Sequence, residues 1–258
     1  MSNLVATIES IGFWASGLPS WQHALDFVAT GALPDGAPAK PSPQLLPPNE
    51  RRRAPESVAV ALDVALSACQ AAGRDPATLP SVFTSTHGDL AITDYVCATL
   101  ATSPRDLSPT KFHNSVHNAA AGYWTIGAGC MQAATAISAY DGSFAQGLVE
   151  AMVQLAEGAD AVLLVGYDTA ATGPLRSIHD CTGLLGGALV LARNGNGPQL
   201  RVRFDDGDAS APGPLGTHAG GNAMAPMLPL FDALAAKRAQ AALISGPGRV
   251  LRVDIAHD

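Results

Sequence analysis

Apolar and polar positions alternate over residues 4–14, as in a strand with one buried face. A short helical pattern covers residues 21–28. Residues 31–49 are rich in Pro, Gly, Ala and Ser and predict an extended loop. Pro55 and Glu56 open a helix with Val58, Leu62, Leu66 and Cys69 on one face, and Gly73 supplies its stop. A strand at 81–86, a turn at His87-Gly88 and a helix over 89–102 follow; Pro104, Ser108 and Pro109 then mark a loop. After an unusual block at 112–129 come a strand at 133–138, a tight turn and a helix over 141–157. Residues 160–166 are a continuous apolar run, the pattern of a strand buried on both faces.

The remainder is less regular. Residues 170–184 read as a loop, and 186–192 with 200–204 as a hairpin across Arg193-Asn-Gly-Asn-Gly197. Residues 205–226 are glycine-rich and polar, which predicts a mobile segment. A helix over 227–240 precedes two short strands, 241–245 and 249–255, joined by Gly246-Pro-Gly248. Strands and helices alternate to about residue 166, so the fold class is α/β with a mixed sheet. No internal repeat is visible.

The stretch 136–148 carries the most chemistry. A β-branched, strand-like segment runs straight into a helix whose Phe144, Leu148, Met152 and Leu155 recur at helical spacing. Asp141, Gly142 and Ser143 suit a sharp turn and a helix N-terminus. Many acyl-transferring enzymes hold a nucleophile on such a unit, beside backbone N–H groups that stabilise an oxyanion. The residue at the tip here is Tyr140. A phenol is almost wholly protonated at neutral pH and is a poor acyl acceptor. The turn has the form of a catalyst without the nucleophile.

Composition narrows the class. Apolar residues make up 47% of the 258 and charged ones 14%, which excludes disorder for the bulk of the chain. The formal charge of −7 argues against a nucleic-acid binder, and the basic run Arg51-Arg52-Arg53 reads as solvated surface before a helix. Cys69, Cys97, Cys130 and Cys181 are widely spaced with no CxxC, so neither a structural zinc nor a disulfide framework is expected. A reducing cytoplasm follows as the expected location. The N-terminus lacks a basic segment followed by an apolar core, and no apolar stretch is long enough for membrane insertion.

Three motifs carry a resemblance: Phe112-His-Asn-Ser-Val-His-Asn-Ala-Ala-Ala-Gly-Tyr-Trp-Thr-Ile126, Ala139-Tyr-Asp-Gly-Ser-Phe144 and Asp160-Ala-Val-Leu-Leu-Val-Gly-Tyr-Asp168. Over residues 4 to about 205 the chain resembles the N-terminal half of β-ketoacyl synthases. It is most similar to the short ketosynthase-like chain-length factors of aryl polyene and type II polyketide biosynthesis. The resemblance implies a truncated thiolase-like fold, about one half plus a short C-terminal helix and two strands. It divides the chain into a ketosynthase-like domain at 4–205 and a completing segment at 206–258. In active members the turn carries a cysteine that takes the acyl chain from acyl carrier protein. The alignment puts Tyr140 at that position. Two further polar groups, usually histidines, come from the second half of the fold, and neither His218 nor His257 matches them.

The resemblance implies a non-catalytic subunit paired with an active β-ketoacyl synthase, as a heterodimer or a dimer of heterodimers. The strand at 133–138 would pair with its counterpart in the partner. His113, Asn114, His117, Asn118, Tyr123, Trp124, Tyr140 and Phe144 would line the interface and the acyl tunnel, with Tyr140 as part of its stopper. Acyl carrier protein would be met mainly through the partner, and no cofactor is implied. A single half leaves apolar sheet or helix surface uncovered; the tail from 227 to 255 is expected to cover part of it and a partner the rest, across a large, partly apolar interface.

Other readings compete. His113 and His117 share a helical spacing, but no carboxylate or cysteine completes a metal site, so no metal is expected. They fit a packed interface better, with Asn114 and Asn118 satisfying loop backbone. Cys130 precedes the strand instead of following it. Cys181 lies beside His179 and Asp180, but adjacent residues do not form a triad, and a buried thiol is the plainer role for either cysteine. Ser143 is the runner-up nucleophile, with helix capping as its plainer role. The alternatives are thus a stand-alone acyltransferase or hydrolase using Ser143 or a cysteine, and a homodimeric acyl-chain or carrier-protein binding module.

Overall fold

The computed structural model describes residues 4–177 and 180–257. In chain order the elements are β1 Leu4–Ala15, α1 Trp21–Thr30, α2 Pro48–Arg53, α3 Glu56–Ala72, β2 Ser81–Thr84, α4 Leu90–Thr102, α5 Pro109–His113 and α6 Ala119–Ala128. There follow β3 Ala134–Ile137, α7 Ser143–Ala156, β4 Ala161–Thr169, β5 Leu184–Ala192, β6 Gln199–Asp206, α8 Pro214–Ala219, α9 Leu228–Ala235, β7 Gln240–Gly246 and β8 Arg249–Ala256. Among the described residues the strands form one eight-stranded mixed sheet, ordered β3-β2-β4-β5-β1-β6-β8-β7. β3, β2 and β4 run parallel, and the pairs from β4 onward are antiparallel.

Both faces of the central strands are buried. Apolar side chains of α3 and α6 pack on one face, with Trp14, Phe83 and Trp124. The other face meets α7, α9 and α1 through Phe13, Phe144, Met152 and Phe231. This is why β4 and β5 read as near-continuous apolar runs. The helix α7 sits close to β2 because position 147 is glycine; a Cβ there would run into the Thr84 side chain.

Three sequence expectations need correction. β5 and β6 do not form a hairpin: β1 lies between them, pairing over Thr7–Ala15 with β5 and over Leu4–Thr7 with β6. A twelve-residue strand with buried positions along its length suits this central place, and local periodicity cannot show a strand inserted from far away in sequence. The proline-rich segment before residue 54 ends in a helix, α2, and Arg51–Arg53 form its last turn. Proline at its first position is compatible with a helix start.

The glycine-rich segment is not loose. It folds into α8, whose start is held by the buried Asp232 carboxylate, accepting from the N–H groups of Gly213, Leu215 and Gly216 at 2.9–3.0 Å. The C-terminal tail adds both to the sheet and to its cover. The tail extends the sheet by β7 and β8, and α9 packs over it. The outer positions of β6 and β8 are charged, with ion pairs Arg203–Asp254 and Arg249–Asp206. The two most exposed large apolar side chains, Ile126 at 81% and Met131 at 95%, lie in the segments just before β3.

Candidate functional site

The turn between β3 and α7 puts Tyr140 at its tip. Tyr140 adopts φ 54°, the left-handed region that a bulky residue occupies only under local constraint. The turn is fastened from within: the Gly142 N–H donates to the Ala139 carbonyl and the Ser143 N–H to that of Tyr140, both at 3.0 Å. The Ser143 hydroxyl donates to the Tyr140 carbonyl at 2.6 Å and accepts from the Ala139 N–H at 2.9 Å. Ser143 therefore does not cap α7 through its side chain as expected; Gly142 is the cap residue. It closes the turn and is only 1% exposed. Gly142 is tight against β7, since a Cβ there would stand 3.0 Å from the Ser245 carbonyl oxygen.

Tyr140 is 54% exposed. Its ring stands edge-on to His87, with centroids 6.4 Å apart. It borders an open cleft of about 540 Å³ shared with Asp141, Asp208, Ile244 and Arg249. The segment Ser85–His87 lies alongside the turn. The Ser138 hydroxyl donates to the Thr86 carbonyl at 3.0 Å, and the Thr86 hydroxyl points to the carbonyls of Ala223 and Tyr140 at 3.3 and 3.5 Å. Beneath this segment the end of β4 carries Asp168, which sequence reasoning did not single out. Burial raises its carboxyl pKa to about 6, against the lowering effect of hydrogen bonds from Ser85, Thr86 and His87.

The motif block folds beside this turn as two helices. His117 bonds through Nε2 to the Ser85 carbonyl at 2.9 Å, and Tyr167 donates toward the His117 carbonyl at 3.5 Å. His113 packs edge-on against Tyr123. The two histidines thus have separate partners, and no metal-holding cluster occurs among the described residues. The asparagines do not do what was expected of them. Asn114 is buried with Oδ1 unpartnered among the described residues, and Asn118 makes no capping hydrogen bond. His113, Val116, Asn118, Tyr123 and Ile126 line a largely apolar pocket of about 410 Å³. Trp124 and Phe144, by contrast, are buried in the two core layers.

Cys69, Cys130 and Cys181 are buried, whereas Cys97 is exposed. Cys130 donates to the Leu79 carbonyl, and Cys181 donates to the Thr169 carbonyl and accepts from the Ala223 N–H. Burial raises the thiol pKa of Cys181 and pushes that of Cys69 up to about 12, which disfavours the reactive thiolate. His179 lies outside the described residues. His218 and His257 bond to the main-chain carbonyls of Ser16 and Arg238. Among the described residues no helix is long and apolar enough to cross a membrane.

The profile of the family described as beta-ketoacyl synthase, N-terminal domain, matches residues 25–247. The chain belongs to this family. No curated protein matches the sequence. Among solved structures, the ketosynthase ApeO in complex with its chain length factor ApeC, from Xenorhabdus doucetiae, contains a chain similar at TM-score 0.78 and 23% identity, covering 97% of this chain and 99% of that one. The ishigamide ketosynthase/chain length factor gives TM-score 0.76 at 14% identity, covering 98% and 99%. A beta-ketoacyl synthase from Burkholderia phymatum STM815 gives 0.58 at 16% identity, covering 75% of this chain but 60% of its own length. These likenesses bear out the thiolase-like fold, with β3, its turn and α7 forming the strand–turn–helix unit of a ketosynthase-family protein.

Proposed function

We propose that this ketosynthase-family chain is a non-catalytic, chain-length-setting subunit that pairs with an active beta-ketoacyl synthase. One observation carries the reading. The turn at which the resemblance implies a cysteine in active members has Tyr140 at its tip, while the neighbouring Ser143 hydroxyl is buried and committed to two hydrogen bonds within the turn. Attack by Ser143 on a thioester would first have to break the bonds that shape the turn, which disfavours the acyltransferase and hydrolase alternatives. The likeness over nearly full length to chains in ketosynthase–chain length factor complexes supports the same reading.

In this proposal the partner supplies the cysteine and performs decarboxylative condensation on a carrier-bound acyl chain. This chain supplies geometry. The open edge of β3 adds to a strand of the partner, and Ile126 and Met131 are covered on assembly. Tyr140 stands in the path of the growing chain. His113, Asn114, His117, Asn118 and Tyr123 border the interface and tunnel, and Trp124 and Phe144 shape them from beneath. Acyl carrier protein docks on the partner. All four cysteines are free thiols, which fits action in the cytoplasm.

Co-expression with a cognate ketosynthase, followed by light scattering and a condensation assay, tests the proposal. A stoichiometric complex whose products lengthen with Tyr140→Gly is the expected result. Turnover by this chain alone, lost on Ser143→Ala, would overturn it.

A further inference from the structure

The strand β4 ends on a carboxylate whose partners are gathered in one loop. Asp168 is 1% exposed. Its Oδ1 accepts the Ser85 hydroxyl at 2.5 Å and, more loosely, the His87 N–H at 3.4 Å. Its Oδ2 accepts the Thr86 N–H at 2.9 Å. Behind it, the Asn222 side-chain amide donates to the Asp168 carbonyl at 3.1 Å, so its main chain is held as well. A buried carboxylate costs several kcal/mol in lost hydration unless its acceptors are well used. Here the donors it gathers come from consecutive residues, Ser85 to His87.

Those residues are the ones that meet the tip. The Thr86 carbonyl holds Ser138, two residues before Tyr140, and the His87 ring stands edge-on to the Tyr140 ring. The chain of contact therefore runs from Asp168, through one three-residue segment, to both the main chain and the ring of the turn. Asp168 itself faces neither the cleft beside Tyr140 nor the pocket at α6. With its carboxyl pKa near 6, the group is mainly ionised at neutral pH, the form able to accept all three donors.

We infer that Asp168 is a positioning residue that, acting through Ser85, Thr86 and His87, sets where the Tyr140 side chain stands and thereby helps to set product length. The inference rests on the reading of Tyr140 as the tunnel stopper. It makes chain length a property of two layers, the stopper and the carboxylate-held loop behind it.

The test uses the co-purified complex with its ketosynthase partner and reads product lengths by mass spectrometry. Asp168→Asn keeps the size of the side chain but replaces one acceptor by a donor that opposes the Thr86 or His87 N–H. It is expected to raise the ratio of longer to normal products roughly threefold or more, the scale of one lost hydrogen bond. Thr86→Val should shift the products the same way, and Thr86→Ser should restore them. Ser85→Ala, which removes one donor and leaves the carboxylate in place, should give a smaller shift of the same sign. Leu191→Ala, a cavity on β5 opposite Val162 and so at the far end of β4 from Asp168, should lower the melting temperature without altering length. Unchanged lengths in Asp168→Asn and Ser85→Ala, alongside lengthening by Tyr140→Gly, would overturn the inference while leaving the stopper intact. An equal shift from Leu191→Ala would also overturn it, as general loosening. Unchanged lengths with Tyr140→Gly would instead remove the reading on which it rests.

Discussion

At one end of the sheet the outer edge of β7 is covered by its own chain; at the other, the outer edge of β3 is bare among the described residues. Beside β7, the Ser210 N–H donates to the Ala242 carbonyl at 3.0 Å, and its hydroxyl accepts the Ala242 N–H at 2.9 Å. The segment carrying Ser210 is fixed just downstream by Asp232. At β3, the carbonyls of Ala133 and Ile137 accept from Ser81 and Ser85, so strand alternation turns the backbone groups of Ala134 and Ala136 outward. Phe112, Val116, Ile126 and Met131 are exposed in the flanking segments. An unprotected apolar edge invites association unless it is an interface in its own right. One sheet thus has a finished edge and an unfinished one, and the difference points to strand addition at β3.

The comparison breaks first if the finished edge does not need its fastening. Asp232→Ala leaves three N–H groups at the start of α8 without their acceptor, that of Leu215 buried and those of Gly213 and Gly216 half-buried. It is expected to cost about 3 kcal/mol or more in urea unfolding of the chain. An unchanged midpoint would mean that the tail is held by other contacts.

The unfinished edge is tested by charge. Ile126→Glu combined with Met131→Glu places carboxylates on side chains that are exposed in the isolated chain. Its own stability should move by less than about 0.5 kcal/mol. Association with the proposed ketosynthase partner should weaken about 100-fold, some 3 kcal/mol, read by titration calorimetry. Unchanged affinity would assign the interface to another face.

Asp168 adds a pH-dependent test at the end of the sheet that carries the Tyr140 turn. Its carboxyl pKa stands at about 6 in the fold, above the ordinary 3.8. The folded chain then holds this proton more tightly than the unfolded chain. The contribution to stability is therefore full below the ordinary value and lost as pH rises through about 6. Asp168→Asn should remove roughly 2 kcal/mol of that slope between about pH 4 and 6, measured by denaturation at stepped pH. An unaltered slope would show that the carboxyl titrates normally.

How far the sequence carried this picture varies by residue. Phe144, Leu148, Met152 and Leu155 announced the buried face of α7 because helical period is a local signal, and all four are buried. The apolar run of β4 was equally legible, and all its residues are buried. The insertion of β1 between β5 and β6 was not legible, because that pairing joins segments far apart in the chain. Asp168 was hidden for a related reason. A carboxylate closing an apolar strand signals something, but its partners at 85–87 come from another strand's end. Ser143 was visible on the turn, whereas its role depended on which main-chain groups the turn brought to it.

The smallest expected effect sharpens the comparison most directly, because it acts on a single edge hydrogen bond. Ser210→Ala removes the hydroxyl that accepts the Ala242 N–H but leaves the Ser210 N–H able to reach the Ala242 carbonyl. The Ala242 donor then faces solvent or stays unpaired, a loss of about 1 kcal/mol. Unfolding should register that, while affinity for the ketosynthase partner should not change. If the same substitution instead weakened association, β7 would belong to the interface as well, and the contrast between a finished and an unfinished edge would give way to two edges that both await a partner.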